Sequence, residues 1–303
     1  MIQKYALLLF FAGLGAHRVV AQGNGAGVWG ARAASLGQVT AVLEDDVWAS
    51  ANNPAALGSV ARPTIGFAAA NRFLLPSLNT VAVAGSLPLG YRSGAPVAPV
   101  SGVPAAVAAA EAPRYGVVGV TAERFGGKLY SEQRVGVGYG YRLGTVRVGA
   151  RMEVLQVSIE GLGSRRVMAA SLGGQADIIP KKLVFGAYLY NFNQARLAPY
   201  QDERVPTVLR AALAWRPSEK VLLLAETEKD VEQDADFRAG LEYHPVAALA
   251  LRGGIASLTH QTTGGAGFHT KTLQIDYAAA WHEKLGLSQQ VSVALTWNKP
   301  AQP

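Results

Sequence analysis

The residues that could do chemistry in this chain are few and scattered. His244, His260, His269 and His282 are the histidines beyond the first twenty-one residues. Each stands alone beside the end of an alternating segment, where an imidazole is more often interfacial than a metal ligand. There is no His-Glu-x-x-His, no Gly-x-Ser-x-Gly and no Asp-rich calcium loop. Without cysteine there is no thiol nucleophile and no Cys-based zinc site. His282 with Ser288 or Ser292 is the one pair that could act as base and nucleophile, and no third group orients it. Gly138-Tyr139-Gly140-Tyr141-Arg142-Leu143-Gly144 has the glycine content of a phosphate loop, but it runs on into strand alternation and opens no helix. Asp45-Asp46 could serve acid–base work or hold a cation; the stronger reading is a carboxylate pair anchored by arginines, because a buried charge needs a partner. The expectation is a protein that is not an enzyme and carries neither cofactor nor metal.

The elements that would position such residues follow from composition and periodicity. The chain has 303 residues, 50% hydrophobic and 16% charged, so it can bury a large core. Lys plus Arg number 28 against 21 acidic residues, spread through arginine–apolar alternations and not gathered into runs, which argues against a nucleic-acid partner. At the start, Lys4, the apolar stretch Ala6 to Ala16, and Val19-Val20-Ala21 before Gln22 have the layout of a secretory signal peptide over 1–21. Its removal takes away Lys4 and Arg18, leaving 26 basic residues against 21 acidic ones, a net +5. No later stretch is apolar for 18 residues, as a membrane helix requires.

From about residue 63 to residue 298 apolar and polar residues alternate with period two. Val291, Val293, Leu295 and Trp297 oppose Gln290, Ser292, Ala294 and Thr296, and Leu209, Ala211, Leu213 and Trp215 oppose Arg210, Ala212, Ala214 and Arg216. The runs are about 9–11 residues long, several ending in an aromatic, as tilted strands crossing a bilayer would be. Turn signals separate strands near 64–71, 79–88, 114–124, 132–142, 145–159, 165–178, 182–191, 206–216, 219–229, 235–243, 247–257, 262–268, 271–282 and 289–298. The polar rows carry Arg147, Arg151, Glu153, Arg210, Arg238, Glu242, Arg252 and Asp276, a composition suited to a paired lumenal charge network. The fold expected is all-β: an antiparallel transmembrane barrel of about fourteen strands in the outer membrane, 63–303, with an Ala/Pro-rich insertion at 91–113. Its partners would be outer-membrane lipid and the barrel-assembly machinery. Parity puts the turns at Leu143-Gly144, Ile179 to Lys181, Arg216 to Ser218 and His244-Pro245 on the periplasmic side and makes Asn191 to Val205 an extracellular loop. If the lumen has room, arginine should cost less at the inward Ala212 or Gly240 than at the outward Leu213 or Leu241.

Residues 22–62 do not alternate. Gly30-Ala31-Arg32-Ala33-Ala34-Ser35-Leu36-Gly37, Asp45-Asp46-Val47-Trp48-Ala49 and Asn53-Pro54-Ala55 are small-residue and turn-rich, fit to fold inside a wide barrel. This order of motifs resembles the N-terminal hatch of FadL-like outer-membrane proteins, especially the PorV/PorQ branch of Bacteroidetes. The likeness continues through Val205 to Arg210, Glu226 to Asp230, Phe237 to His244, Leu251 to Ile255, Gly265 to Phe268 and Leu285 to Ser288. It implies a fourteen-stranded barrel plugged by a hatch, with Gly30, Arg32, Gly37, Asp45, Asp46, Trp48, Asn53 and Pro54 as hatch or gating residues. It also implies transport of small hydrophobic molecules, or else an accessory role in type IX secretion, with cargo or translocon proteins as partners.

Overall fold

The computed structural model describes residues 25–92, 112–113, 115–198, 203–231 and 233–297; residues 1–21, expected as a signal peptide, and most of the 91–113 insertion lie outside them. Fourteen antiparallel strands close into one barrel. They are β1 Thr64–Asn71, β2 Asn79–Pro88, β3 Val117–Gly126, β4 Tyr130–Leu143, β5 Val146–Ile159, β6 Gly163–Ile179, β7 Leu183–Tyr190, β8 Val208–Ser218, β9 Val221–Asp230, β10 Asp236–Val246, β11 Leu249–Ala256, β12 Gln261–His269, β13 Leu273–His282 and β14 Gly286–Thr296. The ladder Thr64↔Thr296 to Asn71↔Gln289 joins β1 to β14 and abolishes every sheet edge. No helix among the described residues is long and apolar enough to cross a membrane.

Period-two alternation gives the barrel two unlike faces. Leu213 is 46% exposed on the outside, while its neighbour Ala212 is 3% exposed on the inside. The outward rows, among them Val148, Met152, Leu209, Trp215, Leu241, Ile275 and Trp281, form an exposed apolar wall that hydrocarbon can cover and water cannot. Connections at the end holding Leu143, Ile179, Ser218 and Val246, the near end, are mostly tight. Gly144 (φ 61°) and Lys181 (φ 65°) supply left-handed turn positions there. A short ladder, Tyr91–Arg92 with Ala112–Pro113, closes the base of the insertion.

The inner face is not uniformly polar. On one side of the lumen Leu155, Val157, Val167, Val184, Leu222 and Leu224 form an apolar core with Leu36, Val39, Val42 and Leu43 of the N-terminal segment. Ala212 belongs to the same core, so the condition on which an arginine would be tolerated there, room in the lumen, is not met. The Asn191–Val205 connection also differs from a simple outward loop. Asn191 (φ 53°) turns the chain back and donates from Nδ2 to the Val205 carbonyl at 2.7 Å, and Leu197 and Val205 drop into the core. Apolar side chains in this loop gain more by covering the lumen than by facing water.

Candidate functional site

The lumen is filled by residues 25–62, folded as α1 Ala31–Ser35, α2 Ala49–Asn52 and a 3-10 turn Pro54–Ser59. Small residues make this possible, because helices and wall approach almost backbone to backbone. Inward glycines on the wall act as sockets. A Cβ on Gly66 would meet Val47, on Gly119 Leu57, on Gly149 Pro54, on Gly173 Asn53, on Gly186 Ala41 and on Gly254 the Leu36–Gly37 peptide.

The motif residues each have a local task. Gly30 (φ 87°) and Gly37 (φ 66°) occupy left-handed backbone, and a side chain at Gly30 would strike the Trp48 indole. Trp48 packs against Trp29 with ring centroids 6.2 Å apart. Asn53 is fully buried; its Oδ1 accepts from Ala55 N at 3.0 Å and its Nδ2 donates to the Ala41 carbonyl at 2.7 Å, so Pro54 enters the 3-10 turn with its missing N–H unneeded. Arg32 grips Glu242 through two bonds of 3.0 Å and donates to the Glu44 carbonyl oxygen at 3.0 Å.

The inward charges are gathered into clusters that touch the hatch, one of them Arg134 with Glu132, in which Arg134 holds the Gly25 carbonyl. Arg252 donates to Glu242 and to Asp276, both at 2.6 Å, beside Arg32. Arg238 meets Asp236 at 2.8 Å and Glu228 at 2.7 Å, and Arg210 meets Glu228 at 2.5 Å and Thr40 Oγ1 at 2.9 Å. Arg151 pairs with Glu153 at 2.8 Å and reaches the Ser50 carbonyl. Arg147 pairs with Asp177 and with Glu44, and Arg216 meets Glu44 at 2.9 Å. Periodicity could not see Glu44, Asp177, Glu226, Glu228 or Tyr190 as members. Glu226 receives the Thr40 and Ala41 amides, and Tyr190 donates to Glu153 at 2.6 Å.

Two expectations need correction. Among the hatch carboxylates it is Glu44, not Asp45 or Asp46, that meets the wall arginines. Asp46 instead accepts from Trp48 N at 3.0 Å, and Asp45 sits in left-handed backbone (φ 52°) with its amide donating to Ser59. Burial pushes the Glu44 carboxyl up, but Arg147 and Arg216 outweigh it and hold it below the ordinary range. Burial and the neighbouring Glu44 raise Asp45 to about 7, and burial raises Asp46 against the pull of Arg32. Nor are all the histidines interfacial: His244 is buried in the lumen with Nε2 3.1 Å from Glu242, and His269 Nε2 lies 2.8 Å from Asp276. His282 and the two serines do not assemble. His282 Nδ1 accepts from the Lys284 and Leu285 amides, Ser288 Oγ accepts from Phe73 N, and Ser292 Oγ accepts from Ala31 N.

Beneath the hatch, at the near end, a cavity of about 250 Å³ opens between Arg32, Asp46, Ser86, Glu242, His244 and Asp276. Residues 25–62 and the wall clusters together occupy the lumen and leave this polar chamber at one mouth.

No protein-family model matches the chain, and no curated protein matches it. Solved structures match its fold. The toluene transporter TodX of P. putida gives a TM-score of 0.56 at 12% identity, over 90% of this chain and 99% of that one. The deltaS2S3 mutant of TodX, a monoaromatic hydrocarbon channel, gives 0.54 at 11% identity, over 91% and 99%. The outer membrane protein Omp33 of Acinetobacter baumannii gives 0.50 at 10% identity, over 78% and 98%. The likeness, at these identities, is one of fold: a closed outer-membrane β-barrel.

Proposed function

We propose that this protein is an integral outer-membrane channel of the FadL-like type for small hydrophobic molecules, with residues 22–62 as its gate. The observation that carries the reading is the hatch itself, seated in glycine sockets across the lumen. The apolar outer wall supports residence in lipid, and TodX, of the same fold, is a toluene transporter. The hatch is held in two ways. Ion pairs fasten it through Arg32 to Glu242 and through Glu44 to Arg147 and Arg216, while Leu36, Val39 and Val42 rest on the apolar core between β5 and β9. A hydrophobic solute competes best with the apolar contacts, so that core is the path it would open. The test is conductance and small-solute uptake in one membrane for the wild type and for a deletion of residues 23–60. The deletion should conduct more. A deletion protein that inserts normally and conducts no more than wild type overturns the gate.

A second reading, a PorV/PorQ-like accessory barrel that binds secreted cargo or translocon proteins, is favoured by one feature. Every connection at the far end exposes a large apolar side chain: Leu74, Leu129, Leu162, Phe192, Val231, Leu258 and Leu285, with Leu162 82% exposed. Such a crown suits a protein partner. Site-specific photocrosslinking from Leu162 in cells separates the readings, since a channel needs no protein partner there.

A further inference from the structure

On one side of the barrel the apolar outer wall ends, toward the far rim, in a polar row. Arg124 of β3, Gln133 of β4, Gln156 of β5 and Arg166 of β6 are paired in one continuous register, Arg124↔Gln133, Gln133↔Gln156 and Gln156↔Arg166. Each stands two residues along its strand from an outward apolar neighbour, Ala122, Val135, Val154 and Met168, so all four share the outer face, and both arginines are exposed. Arg166 Nε donates to Gln156 Oε1 at 2.5 Å. Its guanidinium therefore leans over β5 toward Arg124, about two strand spacings or roughly 10 Å from the β3 backbone. Among the described residues neither guanidinium meets a carboxylate. Glu123 and Glu132 of this rim face the lumen, where Arg134 holds them. A cation at the edge of a hydrocarbon wall is costly unless an anion comes to it.

Immediately below this row the outer wall is hollowed. A groove of about 460 Å³ is floored by Gly85 and Ala122 and walled by Val83, Val120, Val135 and Met152, and every outward side chain that lines it is apolar. Ala122 is the next outward residue beneath Arg124, about 7 Å along β3. It pairs with Val83, which places Gly85 diagonal to it, one step nearer the near end. The groove thus starts under the arginines and descends the lipid face.

We infer that this face binds one anionic, phosphate-headed lipid of the surrounding membrane, its phosphate held between Arg124 and Arg166 above the two glutamines and one acyl chain laid in the groove. The arginine fork matches phosphate oxygens two at a time, and the glutamine amides add donors between the arginines. An apolar solute would fill the groove and leave the arginines bare, and free phosphate would meet the arginines and leave the groove empty. Only an amphiphile uses both. The site needs the barrel to lie in a bilayer and does not depend on whether it conducts.

The test is native mass spectrometry of the full chain, folded in detergent micelles and titrated with dioleoyl phosphatidylglycerol, dioleoyl phosphatidylcholine or inorganic phosphate. One phosphatidylglycerol per barrel should be retained, roughly tenfold more tightly than phosphatidylcholine, in line with charge-assisted hydrogen bonds to an unneutralised phosphate. Inorganic phosphate should not displace it. Arg124→Gln with Arg166→Gln should lower its retention to that of phosphatidylcholine, and Ala122→Trp, which fills the groove and spares the arginines, should weaken it several-fold. Lys284→Gln, which removes an exposed cation from the β13–β14 turn, should leave it unchanged. The proposal is overturned if the two lipids are retained equally, if inorganic phosphate displaces the lipid, or if either the double arginine variant or Ala122→Trp binds like the wild type. Gel mobility of heated against unheated protein reports the folding of each variant. Should the double variant fail to fold, Arg124→Gln alone and the contrast between the two lipids on the wild type decide.

Discussion

Asp45 combines two unusual conditions, left-handed backbone and a half-buried carboxyl raised to about 7 by burial and by Glu44, against the pull of Arg147, Arg216 and Arg32. The folded state therefore keeps a proton that the unfolded chain, with its ordinary value of 3.8, has given up. The contribution to stability is complete below about pH 4 and is lost as the pH rises toward about 7, because the unfolded state then binds fewer protons than the folded one. Asp45→Asn, which is neutral at every pH and tolerates left-handed backbone, removes this slope. Its denaturation midpoint should exceed that of the wild type at pH 8 and equal it at pH 4. A variant that runs parallel to wild type across that range would show that Asp45 is ionised in the folded hatch. The choice of Glu44 over its two neighbours as the wall's partner was invisible in the sequence. Residues 22–62 lack a period, so nothing in the order Glu-Asp-Asp says which carboxyl turns outward.

The strands were legible because alternation is imposed by the physics of a two-faced wall, and β1 and β2 begin and end at the residues that periodicity indicated. The sockets were not legible. Gly149, Gly173 and Gly254 look like weak points in strands, and the hatch backbone that requires them lies about 100–220 residues away in the chain. Gly254→Val should unseat the hatch while the barrel persists: limited proteolysis should cut within 25–62, and the gel mobility shift between heated and unheated protein should remain. The two faces of β8 separate in the same way. Leu213→Arg places a charge in hydrocarbon at a cost of roughly 2–4 kcal/mol if it lies near mid-membrane, read as a lower unfolding midpoint of the barrel. Ala212→Arg drives a charge into the core that Val42 and Leu43 share, so it should release the hatch before it harms the barrel. If proteolysis of the hatch is equally unchanged in both variants, the packing of hatch on β8 is wrong.

Taken whole, the molecule is a wall wrapped around a segment that precedes it in the chain. Residues 25 and 26 lie toward the far end, where their carbonyls accept from Arg134 at 2.7 Å and Arg210 at 2.5 Å, and residue 63 emerges at the near end to begin β1. The sequence order, hatch first and wall second, was readable from the loss of alternation before residue 63, but the threading of the segment through the full height of the lumen was not. The seam of β1 with β14 pairs residues more than 200 positions apart, and such non-local pairing is slow to form. If that seam closes last, the wall closes around a hatch already held inside, as staves are hooped around their contents. A wall closed first should then not admit the segment afterwards. A barrel folded without residues 25–62 and later given that segment as a free peptide should stay open, its conductance unchanged over hours, while the same two pieces refolded together from denaturant should regain the low conductance of the intact chain.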